Sequence, residues 1–461
     1  MVSRRELLAL SAASMAGLAG CSLFRDEPEE PEPEPTEPTP ETPTVDSDPP
    51  HDVRDFGAAV DGETDDTEAV RSAIAHAGPG ETVFFPSGTT LVSSLDSEDT
   101  AAVRLHGDDL PENLTLAGTG KDAVLRMDGG HSGHHQLFFI EVAGGIEGLE
   151  IRDLRLDGNR DEQPGEPGSG GHAIISDSAD SDDVPVSVLI ENVWVERWNQ
   201  SGITPHHGGF VVNQCTVREC SKHGISPDSW YDVHKYEPPI EVRNCYCYRN
   251  GTDSRAPTYG IDVSGGKVLV EDCVCEGNAQ GTKTTPDVIE ATYRRVRLTD
   301  NEINGYLRPG SEGNTDERGV VRFEDVVSEG NGSRGFRLGA YTDYVVPEGS
   351  AIVARANARQ GDNILVTQDA AFDASTVWST CAQSGYGLNS PTRGSSRVGT
   401  YYHFDNAAGP LGDLNNTKIE KIIDVAEMPE RLATATDPGC PGVIEGVPTA
   451  ADVGAVHPPP E

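Results

Sequence analysis

Lysine is scarce in this chain: seven among 461 residues, against 28 arginines. One of the seven stands in the stretch Gly281-Thr282-Lys283-Thr284-Thr285, just past a glycine that recurs along the sequence. The second residue after each such glycine reads Thr204, Ser226, Asp262, Lys283, Leu307, Arg337, and the fourth begins His206, Asp228, Ser264, Thr285. Cations and carboxylates gathered on one face can handle a proton on a carbon beside a carboxylate. A base removes the proton, and a cation stabilises the enolate-like charge that develops. The bland alternative is a solvated face with an ordinary Asp262–Lys283 pair. Such a pair keeps the lysine protonated and is worth under about 1 kcal/mol.

Whether these residues share a face depends on a repeat. "IEVRNCYCYRN" (240–250) aligns without a gap to "VLVEDCVCEGN" (268–278), and four further segments between 188 and 331 join them. Each is followed by a glycine opening another short strand: Gly202, Gly224, Gly260, Gly281, Gly305, Gly335. The minimal unit is 21 or 22 residues with three alternating runs, the pattern of a parallel β-helix coil. Stacked coils bring equivalent side chains about 4.8 Å apart. The residue after each glycine is mostly apolar and points inward, so the second and fourth places point outward. Asp228, Asp262, Lys283 and Arg337 then lie on one outer face, with Asp262 and Lys283 on consecutive rungs.

The spacing also predicts the inward ladders. They run Val188-Phe210-Ile240-Val268-Ala291-Val321, Ile190-Val212-Val242-Val270-Tyr293-Phe323, Val193-Cys215-Cys245-Cys273-Val296-Val326 and Val195-Val217-Cys247-Cys275-Leu298-Ser328. Six of nine cysteines crowd into residues 215–275. They take places where other coils hold valine, so they read as buried free thiols rather than a zinc site; cross-rung disulfides stay open on spacing. Asn250, Asn278, Asn301 and Asn331 form an asparagine ladder at a turn. A helix over 64–78, with Thr64 or Asp65 as N-cap, would cap the first coil. The histidines of "GGHSGHHQ" (129–136) read as a glycine-rich turn before a metal site.

The ends are of another kind. Residues 1–21 carry Arg4-Arg5, a short apolar run and "LAGC", which read as a twin-arginine export signal whose Cys21 takes a lipid. Residues 22–51 are an acidic Pro/Glu/Thr tether, too poor in apolar side chains to fold. The β-helix domain is placed at 52–404, and 405–461 as cap and tail, where Cys381 and Cys440 are able to pair. The balance of 76 acidic against 35 basic residues, net −41, excludes a nucleic-acid partner and suits high salt. A monomer on the outer face of the cell membrane, or free outside it, is expected.

The opening of the folded part, "VRDFGAAVDGETDDTEAVRSAIAHAGPGETVFFPSGTTLVS" (53–93), resembles the N-terminal signature of the pectin lyase-like superfamily, in the branch of pectate lyase-3-type domains, rhamnogalacturonases and C5-epimerases. "LRLDGNR" (154–160) fits it too. The resemblance implies an all-β right-handed parallel β-helix and an acidic polysaccharide as substrate. It implies β-elimination at a uronate, with Lys283 and Arg337 as candidate bases and Ca²⁺ held by Asp228 and Asp262. "NGSRGFRLG" (331–339) is similar to the glycine-lysine strand of one lyase class, with Arg337 where lysine would stand. "YGIDVS" (259–264) resembles the Tyr-Gly-Phe-Asp-Pro-His strand of alginate C5-epimerases, which adds Tyr259 to the proton-handling candidates; the Pro-His half is Val263-Ser264. The polygalacturonase signature is absent apart from "KHGIS" (222–226), which leaves two-carboxylate hydrolysis by Asp228 and Asp262 a weaker alternative. The insertions around these coils bring Trp230, Tyr231, His234 and the stripe residue His206 as sugar-binding candidates. A non-catalytic surface glycan-binding protein fits the same anchor and solenoid.

Overall fold

In the computed structural model the chain forms two units, Met1–Asp46 and Ser47–Glu461. The structure describes residues 51–453, except 95–99, 132, 169, 178–183, 229–237, 253–256, 286, 309–317, 340–341, 358–360, 426–445 and 450–451. The export signal, Cys21, most of the tether and Trp230, Tyr231 and His234 therefore lie outside the described residues.

The second unit is a right-handed parallel β-helix. Its described strands form sheets of 23, 4 and 7 strands. The register is the one the repeat implies. Phe210–Asn213 lies on Val188–Glu191 and leads to Ile240–Arg243, then Gly266–Glu271, Val288–Thr299 and Gly319–Glu329. All four inward ladders are buried in one continuous core. The pairing runs on past residue 404: Thr417–Asp424 still lies in parallel on Ser396–Phe404.

Each coil bends the large sheet at one left-handed residue. Asn192, Gln214, Asn244, Asp272, Arg295 and Asp325 have φ of 52°, 53°, 52°, 52°, 50° and 60°. Asn and Asp tolerate this region best, which accounts for their prevalence there. The repeat glycine answers a different need. At Gly281 a Cβ would lie 2.4 Å from the Gly305 carbonyl oxygen of the next coil, so the backbones stack too closely for any side chain.

The helix forms at Thr67–His76, shorter than expected, and its buried Ala69, Val70, Ala73 and Ile74 join the core. Its N-cap residue is Asp66, which makes no side-chain cap bond. That carboxylate instead accepts the N–H groups of Ala59 (2.7 Å) and Val60 (3.0 Å). Asp65 accepts the Thr67 N–H at 3.0 Å, while the Thr64 hydroxyl turns to Asp61.

Cys215, Cys220, Cys245, Cys247, Cys273 and Cys275 are all free and buried. Burial pushes the Cys245 and Cys247 thiols well above the usual range. They act as small hydrophobes. Cys245→Val, which copies Val193 and Val296 two rungs away on either side of the same ladder, is expected to shift stability by less than about 1.5 kcal/mol. Urea unfolding checks this; a large loss would give the thiol a further role. Cys381 is disulfide-bonded, to a partner outside the described residues.

Candidate functional site

The third sheet is interrupted in the middle. Strands up to Ile203–Thr204 belong to the 4-stranded sheet, and Ile261–Val263 opens the 7-stranded one. Between them, among the described residues, the pairing is by isolated bridges, Ile203 to Ile225 to Ile261 and Asp228 to Ser264. A groove of about 670 Å³ lies over this break. His172, His206, Lys222, His223, Asp228, Asp262 and Lys283 are among its lining residues.

The register puts Asp262 beside Lys283, as Ile261–Val263 pairs with Thr282–Thr284. The Lys283 ammonium donates to Asp262 Oδ1 at 2.9 Å and Oδ2 at 3.0 Å. Asp262, 4% exposed, also accepts the Ser264 hydroxyl at 2.9 Å. His223 Nε2 lies 3.1 Å from Asp262 Oδ2. The other ring nitrogen of His223 accepts the Tyr259 backbone N–H at 3.2 Å, so the proton sits on Nε2 and is donated to Asp262. The His223 ring stacks on Tyr259, 5.6 Å between centroids, and the Lys283 ammonium stands 4.9 Å above the Tyr259 ring. A buried carboxylate thus receives three donors, and one of them, the lysine, is also held by an aromatic face.

Burial governs the titration of the groove. It pushes His223 down to about 4, with the Asp262 charge opposing, and pushes His206 down to about 4. Burial also holds His172, whose Nδ1 meets the Thr204 hydroxyl at 3.0 Å, well below the ordinary histidine value. All three imidazoles are neutral at pH 7. Burial, and then the charge of Asp262, raises the Tyr259 phenol, which stays protonated. These depressed histidines destabilise the fold as acid is added. Between their ordinary value of 6.5 and about 4 the unfolded chain binds more protons than the native one. Stability is therefore expected to be full above pH 6.5 and to decline toward pH 4. A urea midpoint that stays flat between pH 6.5 and 5 would contradict this.

Of the residues picked out by spacing, the groove brings together Asp228, Asp262, Lys283 and His206. Tyr259 forms the floor beneath Lys283 and is not itself a lining residue. Arg337 does sit in the same stripe, below Leu307, yet two rungs from Lys283 and outside the groove. The paired-aspartate calcium site does not fit. Both Asp262 oxygens are taken by an ammonium, an imidazole N–H and a hydroxyl, and a second cation beside that ammonium would be repelled, whereas calcium draws its six to eight oxygen ligands largely from unengaged carboxylates and carbonyls. Among the described residues no group of three or more His, Cys, Asp or Glu is placed to hold a metal. His131 of the early cluster bonds Asp128, and His135 bonds the Gly133 carbonyl.

Spacing missed His223, His172 and Lys222. The signal for His223 was present, in the residue before each repeat glycine: Ser201, His223, Tyr259, Gln280, Asn304, Arg334. Ser201 and His223 of this column line the groove. His223 stacks on Tyr259, and the Asn304 amide donates to Gln280 at 2.9 Å.

Parallel β-helices carry many unrelated functions, so the fold alone assigns none to this groove. Residues 51–246 match the family described as rhamnogalacturonase A/epimerase, pectate lyase-like. Over that stretch, less than half of its length, the chain is similar to the pectin lyase-like superfamily. It is 33% identical over 203 residues to a mannuronan C5-epimerase of Azotobacter vinelandii, covering 42% of this chain and 34% of that one. It is 29% identical over 205 residues to alginate lyase 7 of the same organism, covering 44% and 22%. The matched stretch thus spans about a third or less of those relatives' length. The A-module of another Azotobacter vinelandii mannuronan C5-epimerase superposes with a TM-score of 0.60 at 19% identity, covering 81% of this chain and 98% of that one, which establishes the shared fold.

Proposed function

We propose that the groove binds an acidic, uronate-containing polysaccharide of the alginate type and removes the proton at C5 of one residue, with β-elimination as the outcome. The observation that supports this is the Lys283–Asp262–His223 cluster on the floor of Tyr259, facing a neutral His206. In this reading Lys283 is not the base, because Asp262 holds it as an ammonium. It is the cation that meets the uronate carboxylate and the charge that spreads onto it when C5 loses its proton. His206 takes the proton. A polyanion in the groove favours the imidazolium and so strengthens this base when substrate is bound. Asp262, braced by His223 and Ser264, fixes where the ammonium stands. No step is assigned to Arg337 or to calcium.

In elimination C4=C5 forms as the C4–O bond breaks, and the departing sugar oxygen takes a proton, from the His206 imidazolium or from water, to leave as an alcohol. Reprotonation of C5 from the other face gives epimerisation instead. The Tyr259-Gly260-Ile261-Asp262 strand and the 33% identical relative favour that second reading. One experiment separates them. The domain is incubated in molar salt in D₂O with alginate, polygalacturonate and rhamnogalacturonan, following ultraviolet absorbance and deuterium at C5. Rising absorbance supports elimination; deuterium without absorbance supports epimerisation. Binding with neither signal would leave a glycan-binding protein and end the catalytic reading.

A further inference from the structure

In a chain of net −41 a cation finds a carboxylate easily. On the large sheet Arg243, Arg294 and Arg295 all meet the one Glu271. Around the groove this pairing fails. Lys222 lines the groove, and Arg334 and Arg337 lie past it on a later coil. Among the described residues no acceptor meets the Lys222 ammonium, and no carboxylate meets either guanidinium. The Nε atoms of Arg334 and Arg337 are buried without a partner. The charge of Asp362 reaches Arg334, but its oxygens are engaged by the Tyr386 N–H and the Asn389 amide, each at 2.8 Å. Burial, and then the Arg337 charge, lowers the Arg334 guanidinium against the pull of Asp362. Unmet donors and like charges side by side both cost stability, and an anionic ligand offsets both.

The spacing suits an anion that repeats. Lys222 stands on the Gly224 coil, Lys283 on the Gly281 coil and Arg337 on the Gly335 coil, with the Gly260 and Gly305 coils between them. Successive cations are thus two rungs apart along the solenoid, about 9.6 Å. A single acidic sugar needs one cation and a neutral glycan none, whereas a polyuronate presents carboxylates at regular steps. Both outer charges reach the central cluster. After burial and the opposing Asp262 charge, Lys222 helps to lower His223. Burial and Asp262 raise the Tyr259 phenol, and Arg337 opposes that rise. We infer, on the uronate reading of the groove, that Lys222 and Arg337 are flanking carboxylate subsites, one on each side of Lys283, with Arg334 reinforcing Arg337. The ligand is then a run of acidic units long enough to engage spaced cations, and the charge-assisted bonds it makes replace the partners the fold leaves out.

The test is calorimetric titration of the full chain with alginate dimers, alginate hexamers and carboxyl-reduced hexamers at one salt concentration. His206→Gln, which removes the proposed base, is the background throughout; Lys222→Gln and Arg337→Gln are added to it singly. The background protein is expected to bind the hexamer at least about tenfold more tightly than the dimer, and the reduced hexamer no more tightly than the dimer. Each added change should cost about tenfold in hexamer affinity, the worth of one charge-assisted contact, and leave dimer affinity in place. Urea midpoints should hold, since neither side chain has a carboxylate to abandon. Unchanged hexamer affinity in both variants would overturn the proposal. So would equal losses for dimer and hexamer, which would make these charges a diffuse field without subsites. Turnover of the unaltered protein is read separately. Length-dependent binding without product would end the catalytic reading and leave the subsites standing, while turnover with length-independent binding would do the reverse.

Discussion

Lys283→Ala is expected to lower kcat on the responsive polyuronate by about 10²–10³-fold, the usual cost of removing one donor aimed at developing charge. The lysine stands at 2.9 Å from a carboxylate that is otherwise met by a neutral imidazole and a hydroxyl. Removing it leaves Asp262 buried with a negative charge, so the variant also loses stability and must be shown to be folded by circular dichroism. Lys283→Met keeps the bulk over Tyr259. A double change separates chemistry from architecture. If Lys283 serves only to neutralise Asp262, then Asp262→Asn with Lys283→Met removes both charges and restores turnover. If Lys283 meets the substrate, the double variant regains stability but stays inactive. Recovery of turnover in the double variant would return Lys283 to half of a structural ion pair.

The pairing of Asp262 with Lys283 was legible because β-structure has a period of two and stacked coils have a fixed register. Once Gly260 and Gly281 were aligned, their second residues had to be neighbours. What the spacing did not carry was the role. A stripe says which side chains are adjacent but not how deep they sit, and depth decides the chemistry here. The site lies where the third sheet breaks between Ile203–Thr204 and Ile261–Val263, so residues at the turn close over it. His223 enters from such a turn. With Gly224 it matched one piece of a hydrolase signature, whereas its place beside Asp262 follows from stacking on Tyr259, 36 residues away. The calcium pair failed for the same reason. Asp262 looked available on an outer face, but depth had already surrounded it with donors.

The four core ladders followed directly from alternation. The outer column that the register joins from Trp194 to Tyr402 did not, because alternation assigns those positions to solvent. Tyr246, Val274 and Val353 stand at such places, yet they pack beneath Val425, Val447 and Val453. They are covered by a segment far away in sequence and without the repeat, and period-two reasoning carries no information about such a partner. The early coils were hidden differently. Their strands at Thr82–Phe85, Thr115–Gly118 and Ile146–Arg152 pair in the same parallel manner, but their turns vary in length and the 22-residue spacing is lost.

Asn278→Ala should be the most damaging single change away from the groove, costing about 3 kcal/mol or more in urea unfolding. Asn278 is 0% exposed. Its oxygen accepts the Asn250 backbone N–H at 2.9 Å and the Asn250 amide at 3.0 Å. Its own amide donates to the Cys247 carbonyl at 2.9 Å and to Asn301 at 3.2 Å. Asn301 repeats the pattern on Asn331, and Asn331 on Asn357. Alanine removes a link with polar groups waiting on both sides. The Asn250 N–H and the Cys247 carbonyl each lose a partner where water does not reach, and each loss costs about 1–3 kcal/mol. Nearby Cys245→Val changes the same coils without orphaning a polar group, so the contrast isolates hydrogen bonding from packing. Position along the ladder matters too. Asn357 also hands its amide to the Ser328 carbonyl, at 2.7 Å, but supports a link on one side only. The coils continue past Asn357 but the asparagine ladder ends there, so alanine at 357 breaks one side-chain link where alanine at 278 breaks two. Asn357→Ala should therefore cost less than Asn278→Ala, and equal losses at the two positions would show that the asparagines act singly and not as a ladder.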